Sequence, residues 1–304
     1  MSDVSIIIVN FNAGHRLTDC VTSILEAPDR TEIIVVDNRS DDDSLERLLA
    51  AHGRRKRLQI IRNPANLGFA RACNIGARQA TGEYLFYLNP DCLIQTHTLT
   101  TLTTALARNP EAGMVGGRLL NPDGTEQPGS RRDIPDPWRA FVHLAGLYRF
   151  VKAPPALFSD FSRHREAVPE SEITVEAVSG ACMMVPRKVV AATGGFDEAY
   201  FLHVEDLDWC LRIRQQGWKI LFVPGARVIH AKGGCSHRRP IRVEWHKHLG
   251  LTRFYWKFFR RRHGGLWMPV AMAGVWGHFL LTALSLLWKK AWAAVGRRPE
   301  GERS

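Results

Sequence analysis

The apolar segment Glu83–Asp91 ends in Asn89, Pro90 and Asp91, and so joins a candidate strand to a carboxylate. A run of aromatic and aliphatic residues of this length is typical of a strand that is buried on both faces. Pro90 cannot donate a ladder hydrogen bond, so the strand is expected to stop there and to leave Asp91 at its carboxyl end. Ligands bind at that end of open α/β sheets, which makes Asp91 a candidate for a metal and phosphate site. A plain proline turn is the alternative.

Three carboxylates fall within four positions of the segment Phe201–Arg212, at Glu205, Asp206 and Asp208. On a helix, Glu205 and Asp208 share a face, whereas Asp206 points elsewhere. Carboxylates this close repel one another unless a helix N-terminus, a cation or a bound proton relieves them. One of them is therefore a candidate general base. The alternative is an acidic first helical turn paired with Arg212.

Polar residues also follow the first two candidate strands, at Asn10–Gly14 and at Asp37, Asn38 and Ser40. Asp37 could accept a hydrogen bond from a nucleobase or a ribose, or these side chains could cap the turn and the next helix. The first strand is not followed by the GxGxxG pattern, which argues against a dinucleotide site. His230 ends a later strand, but a lone histidine is a weak signal for a metal ligand.

The segment Asn66–Gly76 opens a candidate helix with a glycine and several small residues. The backbone N–H groups at its N-terminus, together with Arg71, could bind a diphosphate. Alternatively, the glycine and alanine residues let this helix pack closely on the sheet. Both interpretations remain open from the sequence.

The first 120 residues alternate short apolar runs with helical stretches, which predicts βαβ units and a parallel sheet. Strands are predicted at 4–9, 33–36, 58–61 and 84–88, and helices near 15–27, 42–52, 68–80 and 96–108. Residues 121–172 show little periodicity and are interpreted as a surface excursion around an acceptor. Further strands are predicted at 175–185, 219–223 and 226–229, with a helix that opens at Pro186.

The positive charge lies at the C-terminus. The net charge is +11, and residues 238–304 carry 14 Lys and Arg against 3 Asp and Glu. Within them, Leu266–Trp288 has no charged side chain and as a helix would be about 34 Å long, enough for a hydrocarbon core of about 30 Å. Aromatic and basic residues flank this stretch, as at a membrane boundary. A buried helix of a soluble domain is the alternative, and no recognition motif supports a nucleic-acid partner.

The six cysteines contain no CxxC pair, which argues against a zinc site or a disulfide framework and suits a reducing compartment. The first strand begins at Val4, so no signal peptide is expected before it. The sequence therefore predicts a body on the cytoplasmic face of the inner (plasma) membrane, attached through its C-terminal region.

The chain resembles family-2 glycosyltransferases of the GT-A fold, and in particular the bacterial rhamnosyltransferases of polysaccharide and cell-wall assembly. The resemblance covers residues 4–236 and follows the family order. The segments that carry it are Ser5–Asn12, Val35–Ser40, Asn66–Gly76, Asn89–Asp91, Gly194–Glu198, Glu205–Asp208 and His230.

By this resemblance, Asp37 contacts the nucleoside, Asp91 is the metal-binding carboxylate of the family's DxD motif, and Asp206 is the base. The first Asp of that motif is Asn89 here, which leaves fewer charged ligands, so a strict dependence on Mg²⁺ or Mn²⁺ does not follow. His230 is the second candidate metal ligand, and Glu205 and Asp208 would orient the acceptor or tune Asp206. The residues expected at the donor site are Asn10, Asp37, Asn38, Asn66, Gly68, Arg71, Asn74, Asn89 and Gly180.

The resemblance implies an α/β fold with a mostly parallel central sheet flanked by helices. Residues 1–237 would form the GT-A domain, with a nucleotide-binding half (1–120) and an acceptor-binding half (121–237), and residues 238–304 a helical membrane-associating region. The implied reaction is an inverting transfer from a nucleotide-diphosphate sugar, with dTDP-rhamnose as the first choice, to a membrane-linked glycan. A sugar nucleotidyltransferase and a non-catalytic membrane-anchored sugar-nucleotide-binding protein are the alternatives.

Overall fold

The computed structural model describes residues 3–26, 31–144, 163–231, 240–261 and 264–295. Residues 145–162 of the predicted excursion, Cys235, Arg262 and the predicted boundary after residue 237 lie outside the described residues. The chain forms two compact units, Met1–Cys235 and Ser236–Ser304. The division of the first unit into nucleotide-binding and acceptor-binding halves stays a prediction.

The described part of the first unit consists of alternating strands and helices. The strands are β1 (Val4–Asn10), β2 (Thr31–Asp37), β3 (Leu58–Arg62), β4 (Tyr84–Leu88), β5 (Cys92–Ile94), β6 (Ala112–Leu120), β7 (Arg131–Arg132), β8 (Ile173–Val175), β9 (Ala177–Val178), β10 (Cys182–Pro186) and β11 (Lys219–His230). The helices are α1 (His15–Leu25), α2 (Ser44–His52), α3 (Phe69–Gln79), α4 (Thr98–Arg108), α5 (Pro137–Leu144), α6 (Arg187–Thr193) and α7 (Glu205–Gln215).

The central sheet is mixed but mostly parallel, in the order β3-β2-β1-β4-β10-β6-β11-β5, with β8 paired to β11. β1 to β4 are parallel to their neighbours within that group, and β6 is parallel to β11. β10 runs antiparallel between β4 and β6. β7 and β9 form a separate two-stranded sheet. The predicted α/β fold with a mostly parallel sheet is therefore confirmed.

The first four predicted strands and helices are confirmed, but the later part of the sheet differs from the prediction. β5 and β6 were not predicted. The predicted strand at 175–185 is wrong as a continuous element, because the chain turns at Ser179, whose carbonyl accepts a hydrogen bond from Cys182 N at 3.2 Å. The two strands predicted at 219–223 and 226–229 belong to the single strand β11, which is irregular between Val223 and Arg227.

The two faces of β4 hold the sheet and α7 together. Phe86 and Leu88 belong to the main hydrophobic core on one side of the sheet. Side chains alternate along a strand, so Tyr87 points to the other side, where its ring packs edge-on against Phe196 and Trp209 at centroid distances of 5.1 and 5.4 Å. Trp209 lies on α7, and this aromatic contact therefore fixes the helix that carries the Glu-Asp pair.

The second unit contains the helices α8 (Pro240–Phe258) and α9 (Gly264–Val295). They pack against each other through Trp245, whose ring meets those of Trp276 and Phe279. Within α9, Met268–Trp292 has a mean hydropathy of 1.7 and is long and apolar enough to cross a membrane. Its exposed large apolar residues are Val270, Leu280, Leu281, Leu284, Leu287, Trp288 and Trp292.

Candidate functional site

The carboxyl ends of β1 and β2 place Asn10 directly beside Asp37, as the parallel register requires. Asn10 Nδ2 donates to Asp37 Oδ1 at 2.8 Å and lies 3.0 Å from Ser40 Oγ. Ser40 in turn donates to Asp37 from its hydroxyl and its backbone N–H. Asp37 thus caps the turn at Ser40, whereas α2 has no side-chain cap. The contact of Asp37 with a nucleoside stays a prediction. Asn10 Oδ1 is buried and has no hydrogen-bond partner within the described ranges.

Asn38 joins β2 to the loop before α3. Its Nδ2 donates to Asn66 Oδ1 at 3.2 Å and to the carbonyl of Gly68 at 3.1 Å. Its Oδ1 accepts from Asn63 Nδ2 at 2.9 Å. Because Asn38 is almost completely buried in these bonds, the structure shows a structural role for it and for Asn66.

The N-terminus of α3 is bound to the loop before α7. Gly68 N is held by Asn66 Oδ1 at 3.0 Å, and Phe69 N donates to the carbonyl of Phe201 at 2.7 Å. The guanidinium of Arg71 lies 3.6 Å from Glu198. Gly68 N and Phe69 N are thus bonded within the protein, and binding of a diphosphate at this helix N-terminus stays a prediction.

The close-packing interpretation of α3 is confirmed by Gly76. A Cβ at this position would lie 2.7 Å from Ile7 Cγ2 on β1 and 3.1 Å from Val36 Cγ2 on β2. The sequence placed Asn74 at the donor site. In the structure, its side-chain amide accepts from the backbone N–H of Phe196 and donates to the Phe196 carbonyl and to the Glu198 carboxylate. Asn74 therefore holds the segment Gly194–Glu198 in place.

Asp91 and His230 meet at the end of the sheet, because β5 follows Asp91 directly and pairs with the end of β11. His230 Nε2 lies 3.2 Å from Asp91 Oδ1. His230 Nδ1 lies 2.8 Å from Gln127 Oε1, and Gln127 Nε2 donates to the His230 carbonyl at 2.6 Å. That second bond fixes the amide orientation of Gln127, so Oε1 faces the ring and Nδ1 must carry a hydrogen.

This arrangement fits a divalent cation. With the hydrogen on Nδ1, the neutral imidazole presents the lone pair of Nε2 to a carboxylate oxygen, and the two acceptors repel unless a cation or a proton lies with them. A ring nitrogen fixed by an amide oxygen, with the other nitrogen free to ligate, is the usual arrangement around metal-bound histidine. Cys92 lies in the same cluster, but burial raises the pKa of its thiol well above the usual range, so it remains protonated.

The Glu-Asp pair begins α7 after a strained backbone segment. His203 and Val204 have φ values of 67° and 72°, and positive φ is a genuine outlier for a β-branched residue. Such strain costs about 1–3 kcal/mol and is found mainly at functional sites. Here it lets the carbonyl of Phe201 reach α3 while Glu205 and Asp206 start the helix.

Asp206 is held by three donors. Its Oδ2 accepts from Gly180 N at 3.1 Å and from Arg132 Nη2, and its Oδ1 accepts from Leu207 N at 2.8 Å. A Cβ on Gly180 would lie 3.3 Å from Asp206 Cβ, within the range where the neighbour must give way slightly. Gly180, which the sequence placed at the donor site, thus contacts the candidate base.

Glu205 lies beside this carboxylate and forms no ion pair of its own with any residue that the structure describes. Burial, followed by the charge of Asp206, raises the pKa of Glu205 to about 8. Its Oε2 is buried and has no hydrogen-bond partner among the residues that the structure describes. Near neutral pH, Glu205 is therefore mainly the uncharged acid.

Asp208 faces a different environment. It is completely buried, and its carboxylate accepts from Arg212 Nε at 2.6 Å and from the Tyr200 hydroxyl at 3.1 Å. Arg212 also donates to the carbonyls of Thr193 and Gly195. The alternative interpretation of Arg212 as an internal partner therefore holds for Asp208. Its role in orienting an acceptor or tuning Asp206 stays a prediction.

One turn joins the Asp91 side of the site to the Asp206 side. Asn89 N donates to the carbonyl of Ala181 at 3.1 Å, and the adjacent Gly180 N donates to Asp206. The sequence did not identify Gln127 or Arg132, which bond His230 and Asp206. Both lie in the segment interpreted as a surface excursion, where no periodicity or motif distinguished them.

Comparisons with known proteins identify the family and the fold of this chain. A sequence model of glycosyl transferase family 2 matches residues 5–191. N-acetylglucosaminyl-diphospho-decaprenol L-rhamnosyltransferase of Mycobacterium tuberculosis is 30% identical over 281 residues, which cover 88% of this chain and 87% of the relative.

Two solved structures share the fold. One is the mannosyltransferase PcManGT from Pyrobaculum calidifontis with GDP-Man and Mn²⁺, at a TM-score of 0.58 and 19% identity over 96% of this chain and 80% of that one. The other is GalNAc-T7 with UDP, GalNAc and Mn²⁺, at a TM-score of 0.56 and 20% identity over 76% of this chain and 44% of that one. These likenesses establish the GT-A fold, and the sequence matches establish that the chain belongs to glycosyltransferase family 2.

Proposed function

We propose that this glycosyltransferase transfers L-rhamnose from dTDP-rhamnose to a hydroxyl of a polyprenyl-diphosphate-linked glycan, with inversion at the anomeric carbon. The observation that carries the proposal is the turn at Gly180 and Ala181, which holds Asp206 close to the strand end that bears Asp91. A base and a candidate cation site at one rim are what displacement of a diphosphate requires.

In this reaction, Asp206 accepts the proton of the acceptor hydroxyl. The hydroxyl oxygen forms a bond to the anomeric carbon as the bond from that carbon to the donor phosphate breaks, and the nucleoside diphosphate leaves with the electron pair. A divalent cation held by Asp91 and His230 would neutralise charge on this leaving group. Glu205 is mainly uncharged near neutral pH, so it adds little negative charge beside Asp206.

The choice of donor and acceptor rests on the mycobacterial relative, which is named for L-rhamnosyl transfer to N-acetylglucosaminyl-diphospho-decaprenol and is matched along most of its length. An acceptor of this kind resides in a membrane. The exposed apolar face of α9 and the basic C-terminal region support attachment there, at the cytoplasmic face where nucleotide sugars are available.

The test uses the full chain purified in detergent. Calorimetric titration with dTDP-rhamnose should show binding in Mn²⁺ that EDTA weakens. Incubation with N-acetylglucosaminyl-diphospho-polyprenol should then yield a rhamnosylated lipid and dTDP in equal amounts. Asp206→Asn should bind the donor normally and transfer about 10²–10⁴-fold more slowly, because only the base is lost.

Other outcomes separate the alternatives. Binding of UDP- or GDP-sugars in place of dTDP-rhamnose would contradict the choice of rhamnose. Release of pyrophosphate would indicate a nucleotidyltransferase, and donor binding without nucleoside diphosphate release would indicate a non-catalytic binding protein. Normal turnover by Asp206→Asn would contradict its assignment as the base.

A further inference from the structure

Arg132 covers the candidate base. It lies on β7, where side chains alternate, so that Arg131 points into the fold toward Glu126 and Arg132 points toward α7. Its guanidinium pairs with Asp206, and the two side chains retain 21% and 13% of their exposure. The pair is thus partly accessible from solvent.

The ion pair occupies part of the Asp206 carboxylate. The carboxylate accepts from Arg132, from Gly180 N and from Leu207 N. A carboxylate oxygen has about two lone-pair sites, so Oδ2 is fully used by Arg132 and Gly180. A hydroxyl proton reaches Oδ2 only after Arg132 moves away.

Arg132 is also incompletely bonded in this position. Its Nε is buried and has no hydrogen-bond partner in the part of the chain that the structure describes. A buried N–H without a partner costs about 1–3 kcal/mol, so a position that satisfies it is favoured once an acceptor group is available. A planar guanidinium matches the oxygens of a phosphate bidentately, and a diphosphate carries more negative charge than one carboxylate.

We propose that Arg132 binds the diphosphate of a lipid-linked acceptor and, by leaving Asp206, frees Oδ2 of the base when that acceptor is present. The inference rests on the proposed function, because it requires an acceptor whose sugar is joined to a diphosphate. In such an acceptor, one sugar ring separates the diphosphate from the attacked hydroxyl. One arginine can therefore pair first with the base and then with the diphosphate. Without acceptor, the covered base protects the donor from attack by water.

The test compares two acceptors in the full chain with dTDP-rhamnose and Mn²⁺: N-acetylglucosaminyl-diphospho-polyprenol and an uncharged alkyl N-acetylglucosaminide. Donor hydrolysis is measured without acceptor. Arg132→Gln should reduce the preference for the diphosphate acceptor about 10–100-fold, mainly through KM, because a charge-assisted bidentate contact is lost. Hydrolysis should rise several-fold, since water then reaches the carboxylate oxygen that Arg132 covers.

Two further variants keep the result interpretable. Arg132→Lys retains the positive charge but lacks the planar guanidinium, so its acceptor preference and its hydrolysis rate should lie between those of wild type and Arg132→Gln. If Arg132→Gln does not fold, Arg132→Lys takes its place in the test. Arg139→Gln removes an arginine that pairs with Glu176 at 2.7 Å, and it should change neither the preference nor the hydrolysis. Adding Asp206→Asn to Arg132→Gln should abolish the extra hydrolysis.

The opposing outcomes are distinct. If Arg132→Gln slows transfer to both acceptors equally and hydrolysis does not rise, Arg132 only positions Asp206 and the inference is wrong. If the wild-type chain transfers to neither acceptor, the proposed function fails and the inference fails with it. Transfer by the wild type with an unchanged preference in Arg132→Gln contradicts the inference alone.

Discussion

The imidazole Nε2 of His230 lies 3.2 Å from Asp91 Oδ1, while Gln127 fixes the hydrogen on the opposite ring nitrogen. With a neutral ring, two acceptor atoms face each other at the end of the sheet, and a cation or a proton between them would remove the repulsion. This relationship explains how a family member with Asn89 in place of the first Asp retains a candidate cation site: an imidazole from β11 adds to the one remaining carboxylate.

Removing either ligand should weaken metal-dependent donor binding. We expect Asp91→Asn and His230→Ala each to lower the affinity for dTDP-rhamnose in Mn²⁺ about 10–100-fold, the range seen when metal sites are disturbed. In EDTA, both variants should match the wild type. Cys92→Ala is the control in the same cluster and should keep the metal dependence, because Mg²⁺ and Mn²⁺ prefer oxygen ligands to a thiol. If wild type, Asp91→Asn, His230→Ala and Cys92→Ala all bind the donor with equal affinity in Mn²⁺, Asp91 has only a structural role in the turn.

Asp208 should contribute to stability, in contrast to Asp206. Asp208→Ala leaves the Arg212 guanidinium without its carboxylate partner, and breaking a buried pair costs about 3–5 kcal/mol. The free energy of unfolding from urea titration should fall by that order. Asp206→Asn keeps acceptors for Gly180 and Arg132 and should lose much less. If the Asp208→Ala protein is stable but inactive, Asp208 has a catalytic role and not a structural one.

Glu205 should make the protein less stable as the pH rises. Its pKa is raised from 4.5 to about 8 in the folded state, so between these values the folded protein holds a proton that the unfolded chain has released. Stability therefore decreases with rising pH across this window, and the loss is complete above it.

The matching measurement compares urea unfolding of wild type and Glu205→Gln at pH 6 and pH 9. The variant cannot ionise, so it should gain on the order of 2–3 kcal/mol relative to wild type between these pH values. Glu176→Gln is the control: hydrogen bonds from Ile134 N and Arg139 lower the pKa of Glu176 despite its partial burial, so its ionisation is complete by pH 6. A constant difference for Glu205→Gln would show that Glu205 is ionised throughout.

The sequence predicted the parallel part of the sheet well because each of its strands is a short apolar run with a polar residue at the end. β1 and β2 are buried along nearly their whole length, and the register places Asn10 beside Asp37 as a parallel pair requires. The same pattern identified β4 and the position of Asp91.

The sequence did not reveal which polar residues bond one another. Asn38 and Asn74 resemble ligand-binding residues by type, yet their amides bond backbone groups from distant segments, Gly68 and Phe196. Gln127 and Arg132 reach the site from a segment without periodicity. Such pairings depend on how loops fold over the sheet, and the spacing of residues along the chain does not encode them.

Gly68 should be more sensitive to substitution than its positive φ alone explains. Gly68 and Gly124 have φ values of 86° and 85°, so alanine at either costs about 1–2 kcal/mol from backbone strain. A Cβ at Gly68 would lie 2.7 Å from the carbonyl of Phe201, whereas at Gly124 it meets no atom within 4 Å. We therefore expect Gly68→Ala to lose about 1–3 kcal/mol more than Gly124→Ala in urea unfolding.

The same substitution should also affect catalysis, because Phe201 begins the segment that leads to Glu205 and Asp206. Displacing its carbonyl breaks the bond to Phe69 N and moves the strained residues that start α7. Gly68→Ala should lower kcat at saturating donor and acceptor, while Gly124→Ala should leave kcat unchanged. Equal losses of stability at the two glycines, with normal kcat at both, would show that the α3 contact does not position the Glu-Asp pair.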